Sequence, residues 1–245
     1  MIKNYIKVAI RNLKKNIGYS TINIAGLAIG LATCLLITLY VTNELSYDRY
    51  LKNAAHIYRI NSDIKFGGGD LHMTQTSDMM GEMLKKDYPQ VEEYARVYGS
   101  DGSKLIKKGN EFITEPRAVN VDSTFFDLFA LPAISGNLKT ALNDPNTVAI
   151  TASMAKKYFD ATNVLGKTIE VKTGETSQPY KITAVIEDNT KNSHFNFDFL
   201  FSMKNVDYQW GQYTSHNFHT YLLLKPGTDY KAFEKNLKSY SIKYV

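Results

Sequence analysis

The 245-residue chain has very little cysteine and one long interval without charge. Cys34 is its single cysteine, so an intrachain disulfide is excluded and any folded domain must be held together by packing. No charged residue occurs between Lys15 and Glu44, although Lys, Arg, Asp and Glu make up 22% of the chain. An uncharged interval of this length is difficult to accommodate in a water-soluble fold.

The short motifs that often mark catalysis or nucleotide binding are also missing. The sequence contains no H-E-x-x-H, no G-x-S-x-G and no glycine fingerprint between a strand and a helix. Gly166-Lys167-Thr168 resembles the end of a phosphate-binding loop, but residue 161 is Ala where that loop needs Gly, and a strand is predicted to follow. We therefore predict that the chain is not an enzyme, has no ATPase site and binds no cofactor.

One histidine pair has a spacing that a metal site could use. His216 and His219 are three residues apart, which would place them together on a helix. Phe218, Tyr221 and Leu223, however, are typical of a strand, and on a strand this spacing turns the two rings to opposite faces. We therefore predict no metal site here.

Other polar and aromatic residues are assigned structural roles. Glu92 and Glu93 are predicted to lie in a solvated loop, and His56 and His194 are predicted to be structural. The 17 Tyr and 12 Phe residues could line a groove that faces a peptide or a lipid, but core packing explains most of them.

The positive charge is concentrated at the N-terminus. The net charge is +5, and five cations with no acid lie in residues 1–15, so the remaining 24 basic residues match the 24 acidic ones. A formally neutral domain has no general electrostatic reason to bind phosphate backbones, whereas cations beside a membrane span are attracted to anionic headgroups. The sequence therefore argues against nucleic acid and for membrane lipid as a partner.

The uncharged interval contains a candidate membrane span. Ile22 to Val41 reads INIAGLAIGLATCLLITLYV. A helix of ~20 residues rising ~1.5 Å each matches a hydrocarbon core of ~30 Å. The run is too long for the apolar region of a cleaved signal peptide, and Thr33 together with the apolar residues after Cys34 argues against a lipoprotein signal. We predict a transmembrane helix over residues 18–46.

Residues 1–17 are predicted to form a basic amphipathic helix. Its apolar face would lie in the headgroup plane while its cations reach anionic lipid, although an ordinary surface helix is the alternative. The membrane-surface residues are Lys3, Lys7, Arg11, Lys14 and Lys15.

The charge on the two sides of the span gives it a direction. Five cations precede the span, against Arg49, Lys52 and Arg59 over a comparable distance after it. The positive-inside rule then places the N-terminus in the cytoplasm and the larger domain outside. Gly26 and Gly30 form a G-x-x-x-G motif, which predicts a face where another helix packs closely.

After the span, short strands and helices alternate irregularly, which predicts an α+β domain with mixed sheets. Gly67 to Gly69 predicts a hairpin, Pro89 ends a helix with a core-facing methionine stripe, and Asp122 is predicted to cap a phenylalanine-rich helix. The predicted strands are 56–62, 95–98, 104–107, 112–121, 147–150, 168–171, 180–186 and 218–224, and the predicted helices are 77–88, 152–159 and 230–240.

Several runs resemble one family of membrane proteins. They are RNLKKNIGYSTINIAGLAIGLATCLLI followed by NELSYDRYLKNAAHIYRI, then VDSTFFDLFALP, SGN, ASMAKKYF, NVLGK and NSHFNF. Together they resemble permease subunits of the MacB/FtsX-like ABC transporter family, in the form common in Bacteroidetes, with a MacB-like periplasmic core domain. Asp160 departs from the family, which usually has Gly after Tyr-Phe, and this change is expected to alter a helix-ending turn.

The resemblance implies a function and a set of partners. A permease of this family works with a separate cytoplasmic ABC ATPase that binds ATP, and it couples ATP-driven motion to a periplasmic domain for export, lipoprotein release or mechanotransmission. Further permease helices or a second permease copy, and a periplasmic adaptor protein, are additional partners that the resemblance allows. It locates the chain in the bacterial inner membrane, and because such permeases have three more spans, it implies that residues 1–245 are an N-terminal part.

The resemblance also suggests how the outer domain is divided. Residues 47–245 would be the periplasmic core domain, and the resemblance implies that it has two lobes, with an inserted lobe expected over about 105–185. The stalk that joins span and domain would contain Glu44, Tyr47, Asp48, Arg49 and Tyr50. The alternatives are a stand-alone membrane-anchored binding or sensor module, and a membrane-anchored enzyme whose site would be a pocket of converging titratable groups.

Overall fold

In the computed structural model, residues 1–48, 51–99, 102–188, 193–206 and 215–244 are described. The chain divides into two compact units, Met1–Tyr47 and Asp48–Val245. Each unit has its own architecture.

The first unit consists of two helices, α1 (Ile2–Lys15) and α2 (Ile17–Glu44). Helix α1 carries apolar side chains on one face and the five predicted cations on the other. Helix α2 contains the predicted span, has no buried residue, and is long and apolar enough to cross a membrane. Each of the two predicted segments is thus helical, while the predicted bounds of 1–17 and 18–46 and the placement of the helices in a membrane stay predictions.

Polar side chains in α2 satisfy their hydrogen-bonding groups within the helix. The hydroxyls of Thr21, Thr33 and Thr38 donate to the carbonyls four residues earlier, at 2.8, 2.9 and 2.8 Å. Such bonds suit a hydrocarbon environment, where a polar group without a partner is costly. The threonines are therefore compatible with a membrane-spanning helix.

The second unit is an α+β domain whose elements are short. Its strands are β1 (Ile57–Ile60), β2 (Ser62–Phe66), β3 (Gly69–Met73), β4 (Val91–Tyr98), β5 (Lys104–Lys108), β6 (Glu111–Glu115), β7 (Ala118–Val121), β8 (Ala133–Gly136), β9 (Thr147–Thr151), β10 (Thr168–Thr173), β11 (Thr176–Ile186), β12 (Phe199–Ser202) and β13 (Phe218–Leu224). Its helices are α3 (Met80–Asp87), α4 (Phe125–Phe129), α5 (Ala152–Phe159) and α6 (Tyr230–Tyr244), with 3-10 turns at Ala54–His56 and Met203–Asn205.

Among the described residues, one mixed sheet connects most of these strands. Its order is β1-β13-β4-β7-β12-β9-β11-β10-β5-β6. The pairs β7–β12 and β9–β11 are parallel and lie in the interior of the sheet, while the other pairs are antiparallel. The long strand β11 pairs with β10 through its first half and with β8 through its second half. The mixed sheet confirms the predicted fold class.

The strands β2 and β3 form a separate hairpin that pairs only with itself in the described part of the chain. Gly67 and Gly68 occupy its turn at φ values of 61° and 82°, a region that glycine enters without steric cost. On one face of the hairpin, His72 lies 2.7 Å from Asp63. The hairpin predicted from the three consecutive glycines is confirmed.

Three apolar cores are formed by the described residues of the domain. Side chains alternate across the sheet, so that Leu200 of β12 faces one core while its neighbours Phe199 and Phe201 face another. The α4 core contains Val97, Val119, Val121, Phe125, Phe126, Leu128, Phe129, Ala184, Ile186, Phe195 and Leu200; the α5 core contains Ile106, Val148, Ile150, Met154, Ala155, Ile182, Val185, Phe199 and Phe201; the smaller α3 core contains Leu84, Val91, Leu222, Leu224 and Phe233.

The methionine stripe belongs to the α3 core. Met80 and Met83 pack against its buried residues, of which Leu84 is fully buried. The stripe therefore contributes to packing, as predicted, and α3 begins at Met80 rather than at Ser77.

Two predictions in this part of the chain are wrong. Glu92 and Glu93 lie on β4 and not in a loop, because β4 begins at the buried Val91. The carboxylate of Asp122 does not cap α4: it binds Arg96 on β4, and α4 starts after Thr124 without a side-chain cap.

The segment predicted as a strand over 112–121 is divided by a change of direction. β6 pairs with β5 at the edge of the sheet, whereas β7 lies in the interior between β4 and β12. Arg117 lies between these two strands. The boundary of an inserted lobe at about 105–185 stays a prediction.

Asp160, where the sequence departs from the family, lies at the C-terminal end of α5. Asp160 adopts the left-handed conformation at φ 55°, and its N–H donates to the carbonyl of Lys156 at 2.9 Å. This is the conformation for which glycine is favoured and which Asp tolerates better than most residues. Asp160 therefore stands in a helix-ending turn, as predicted.

Candidate functional site

The first residue of the second unit is held by three hydrogen bonds. Oδ1 of Asp48 accepts from the hydroxyl of Ser193 at 3.0 Å and from the N–H of His194 at 3.1 Å. Nδ1 of His194 lies 2.5 Å from Oδ2 of the same carboxylate. Asp48 itself has a left-handed backbone with φ 55°. We call Asp48, Ser193 and His194 the junction.

The junction is attached to the α4 core through the next residue of the same segment. The hydroxyl of Ser193 also accepts the N–H of Phe195 at 3.0 Å. The ring of Phe195 is buried and lies 4.2 Å from Phe129 and 5.4 Å from Tyr221, centroid to centroid. Because close aromatic packing restricts side-chain movement, the position of the junction is fixed by the core.

Residues after Asp48 are attached to α4 as well. The side-chain amide of Asn53 donates to the carbonyls of Asp127 and Leu128 at 3.2 and 3.3 Å. These carbonyls belong to a helix too short to satisfy them internally, so Asn53 acts as a partner for its C-terminal end. Leu51 is buried in the α4 core between these two attachments.

Tyr221 is influenced by the junction. Burial raises the pKa of Tyr221, Arg59 on β1 opposes that increase by charge and by a hydrogen bond, and the negative charge of Asp48 adds to it. The phenol of Tyr221 therefore stays protonated at neutral pH, so it brings no negative charge into the core beside Phe129 and Phe195.

The segment that contains Ser193 and His194 is bound at its other end by Arg117. The guanidinium of Arg117 donates to Oδ1 of Asn196 at 2.8 Å and to Oδ2 of Asp198 at 2.8 Å. The carbonyl of Arg117 accepts the N–H groups of Asp198 and Phe199 at 2.8 and 3.1 Å. Side chain and backbone thus bind the same few residues.

A second acid is buried beside this contact. Oε1 of Glu115 accepts from Nζ of Lys157 at 2.6 Å and from the hydroxyl of Tyr158 at 2.5 Å. Burial, with a further contribution from Glu115, raises the pKa of Tyr158. Burial also raises the pKa of Asp198, while its ion pair with Arg117 lowers it and the charge of Glu115 raises it.

Asp198→Asn is expected to remove part of the pH dependence of stability. Because the folded-state pKa of Asp198 exceeds its ordinary value of 3.8, the folded protein binds more protons on this carboxyl than the unfolded chain at pH values between the two. The contribution of Asp198 to the free energy of unfolding is therefore largest at low pH and falls as the pH rises through that window. Urea unfolding of wild type and of Asp198→Asn, measured over a pH series from 3.8 upwards, gives the free energy of unfolding of each protein as a function of pH.

As the pH rises, the free energy of unfolding of Asp198→Asn must increase relative to that of wild type. A difference that stays constant, or shifts in the opposite direction, contradicts the raised pKa. Glu115 and the other acids are common to both proteins, so their titration largely cancels in the comparison.

Sequence comparison identifies the family of this fold. A family model described as the MacB-like periplasmic core domain matches residues 20–240. The chain belongs to this family. No curated protein matches the chain.

Two solved structures share the fold of this MacB-like domain. One is a domain of a protein assigned as a permease from Porphyromonas gingivalis, with a TM-score of 0.64, 21% identity, and coverage of 80% of this chain and 87% of that one. The other is the periplasmic region of MacB from Actinobacillus actinomycetemcomitans, with a TM-score of 0.56, 18% identity, and coverage of 82% and 90%. At these identities the likeness concerns the fold.

The predicted stalk residues have different outcomes in the MacB-like structure. Glu44 is the last residue of α2, Tyr47 follows it, and Asp48 belongs to the junction. Arg49 and Tyr50 lie outside the described residues. Asp48 has long-range partners in Ser193 and His194.

The residues predicted in the first unit lie on its two helices. Gly26 and Gly30 are on α2, and a Cβ placed on either would meet no atom within 4 Å in the described part of the chain. The helix therefore leaves room at both positions. The predicted membrane-surface residues are exposed on α1: Lys3, Lys7, Arg11, Lys14 and Lys15.

Sequence reasoning missed the partners of Asp48 and the buried acids. His194 was predicted to be structural, but its contact with Asp48 joins residues 146 positions apart. The two runs that contain them, NELSYDRY and NSHFNF, both resemble the family, and that shared signal could have suggested the pair. Glu115 and Asp198 carry no local signal of burial.

An open acidic cleft of about 390 Å³ lies elsewhere on the domain. Glu92 and Asp127 contribute carboxylates, and His56 contributes an imidazole. Glu93, also in the lining, already pairs with Lys85 at 2.6 Å.

Of the two histidines considered as metal ligands, one lies on a strand and the other lies before it. His219 lies on β13, where its Nδ1 is 3.2 Å from the carbonyl oxygen of Thr74, and His216 precedes the strand. The strand predicted for residues 218–224 is confirmed. Among the described residues, no group of three or more His, Cys, Asp or Glu side chains is arranged to hold a metal ion.

Proposed function

We propose that the chain is part of a permease subunit of an ABC transporter of the MacB/FtsX type. A separate cytoplasmic ATPase binds and hydrolyses ATP, and its motion is coupled to the periplasmic domain. Export, lipoprotein release and mechanotransmission are the processes that such coupling would serve. The proposal is supported by the family match over residues 20–240 and by the permease-type structures that share the fold.

The membrane arrangement follows from charge and hydropathy. α2 crosses the bacterial inner membrane, with the N-terminus in the cytoplasm and the second unit in the periplasm, because the cations cluster before the span. α1 lies at the membrane surface, where its apolar side chains enter the headgroup region and its cations attract anionic lipid.

The junction is the observation that carries the coupling mechanism. The chain leaves α2 at Glu44, and Asp48, four residues later, has hydrogen bonds to residues far along the sequence. Because the chain is continuous, a displacement of the end of α2 would be passed to the domain through Asp48. Because Asp48 binds Ser193 and His194, the displacement is passed to a segment seated in the α4 core.

Partners complete the transporter. Gly26 and Gly30 provide a face at which another permease helix or a second permease copy packs, since small residues allow two backbones to approach closely. The ATPase acts on the cytoplasmic side, and a periplasmic adaptor protein is a further partner.

The double variant Ser193→Ala, His194→Ala tests this function. It removes the hydroxyl and imidazole bound to Asp48 while leaving the buried Phe195 in place. In the permease reconstituted with its ATPase in lipid, transport per ATP hydrolysed is expected to fall by at least about tenfold, the factor that corresponds to the lower limit for one hydrogen bond to a charged group.

His72→Ala is the matched control. His72 is also an exposed histidine beside an aspartate, with its side chain 75% exposed against 70% for His194, but it lies on the β2–β3 hairpin. The His72→Ala variant should transport as much per ATP hydrolysed as wild type. A folded double variant that transports as much per ATP as wild type would show that the junction does not couple the two activities.

A further inference from the structure

Six consecutive residues, 193–198, connect two distant parts of the domain. Ser193 and His194 bind Asp48 at one end, and Asn196 and Asp198 bind Arg117 at the other. We propose that this segment, which we call the strap, is a conformational link that transmits a displacement of Asp48 to Arg117 and from there to α5. This inference rests on the proposed function for its biological role, although the link itself is a property of the chain.

The strap passes from one core to another. Phe195 is buried in the α4 core, whereas Phe199, which follows the strap, is fully buried in the α5 core on the opposite face of the sheet. A segment with a buried aromatic ring in each core cannot change its path without disturbing close packing. The strap therefore connects the two faces of the sheet, and its path is restricted by Phe195 within it and by Phe199 directly after it.

Its far end is bound by backbone as well as side chain. The N–H groups of Asp198 and Phe199 donate to the carbonyl of Arg117, and the carbonyl of Asp198 accepts the N–H of Thr151 at 3.1 Å. The side chain of Asp198 is 8% exposed and pairs with Nη2 of Arg117 at 2.6 Å. Movement of the strap would therefore act directly on the β6–β7 connection and on the end of β9.

From Arg117 the link continues to α5. Glu115 lies two positions before Arg117 and binds Lys157 and Tyr158 of α5 through a side chain that is 5% exposed. The position of β6 and the position of α5 are thus coupled by a buried charged contact. A displacement that begins at the junction has a continuous set of contacts to α5.

Amide hydrogen exchange in the full chain, embedded in lipid nanodiscs, tests the link. In the double variant Ser193→Ala, His194→Ala, the amides of Asp198 and Phe199 are expected to exchange roughly threefold to tenfold faster, the change that weakening about one hydrogen bond produces. Neither substitution touches the contacts of Arg117 with these amides. An effect there must therefore travel along the strap.

The reciprocal variant, Arg117→Gln, should accelerate exchange at His194 and Phe195, because coupling between two sites is reciprocal. His72→Ala should leave both ends unchanged. If the double variant accelerates exchange at residues 194 and 195 alone, with residues 198 and 199 as protected as in wild type, the strap does not transmit and the inference is overturned.

This experiment separates the inference from the proposed function. Exchange is measured without ATPase, so a transmitting strap would be detected even if the chain served another process. Conversely, transport that depends on the junction while residues 198 and 199 stay protected would support the function and reject the strap.

Discussion

Asp122→Ala is expected to lower the free energy of unfolding by about 3–5 kcal/mol, because it leaves a buried arginine without its counter-ion. Nε and Nη2 of Arg96 each donate to the Asp122 carboxylate at 2.9 Å, and the two side chains are only 7% and 14% exposed. The carboxylate also accepts the backbone N–H of Arg96 at 2.8 Å. Urea unfolding followed by circular dichroism measures the loss.

Two other contacts of Arg96 compensate its charge less well than the carboxylate does. Its Nη1 donates to the backbone carbonyl of Asp78 at 2.7 Å, and its guanidinium lies 5.2 Å from the centre of the Phe218 ring. A neutral carbonyl and an aromatic face stabilise a cation less than a bidentate ion pair does. The buried positive charge would then be only partly compensated.

Glu170→Ala is the matched control, since it also removes an acid that pairs with a basic residue on a strand. The Lys107–Glu170 pair has side chains 38% and 46% exposed, so its loss should cost about 1 kcal/mol or less. Replacing Arg96 and Asp122 together by apolar residues should recover much of the stability, because no charge is then left buried. Equal losses for Asp122→Ala and Glu170→Ala would contradict this account.

Local patterns predicted many elements of the fold. The buried run of β9 leads directly into α5, aromatic and apolar residues predominate in β13, and glycines mark the β2–β3 turn. In each case the information lies within a few residues, because side-chain periodicity and turn chemistry are local properties. Element type was therefore predicted better than pairing.

Asp122 shows why local patterns fail. An aspartate just before a phenylalanine-rich helix is typical of a cap, and its backbone carbonyl does accept the N–H of Phe125. Its side chain instead binds Arg96, 26 residues away, because the neighbouring strands β4 and β7 bring the two together. A buried guanidinium attracts a carboxylate more strongly than the first turn of a short helix does.

Asp48 was predicted to be a stalk residue, but its pairing with Ser193 and His194 was not predicted. Asp48 was named because the span ends near it, which is a property of sequence order. Ser193 and His194 lie far along the chain, and their contact depends on how the segment before β12 passes over the α4 core. Hydropathy and spacing contain no such information, so the partners required the three-dimensional structure.

The junction and the strap place different demands on the residues that form them. Asp48 and His194 are polar and partly exposed, so replacing them should affect coupling more than folding. Phe195 and its neighbours are buried, so they determine where the strap lies. A variant that removes a ring packed against Phe195 should therefore both reduce stability and make the strap more mobile.

Phe129→Ala is that variant, and it is expected to lower the free energy of unfolding by about 3–5 kcal/mol. Phe129 is 1% exposed, and its ring lies 4.2 Å from Phe195, 4.6 Å from Phe125 and 5.2 Å from Tyr221. Truncation removes apolar contact and leaves a cavity that the packed residues of the α4 core cannot easily close. Urea unfolding measures this loss, and hydrogen exchange at His194 and Phe195 measures the loosening.

Phe112→Ala separates loss of a buried ring from loss of any phenylalanine. Phe112 is 37% exposed on the edge strand β6, so its truncation should cost about 1 kcal/mol or less. Phe129→Leu fills much of the cavity and should lose less stability than Phe129→Ala. If Phe129→Ala is no more harmful than Phe112→Ala, or leaves exchange at residues 194 and 195 unchanged, then the aromatic cluster does not hold the strap, and the hydrogen bonds of Asp48 and Arg117 alone must determine its path.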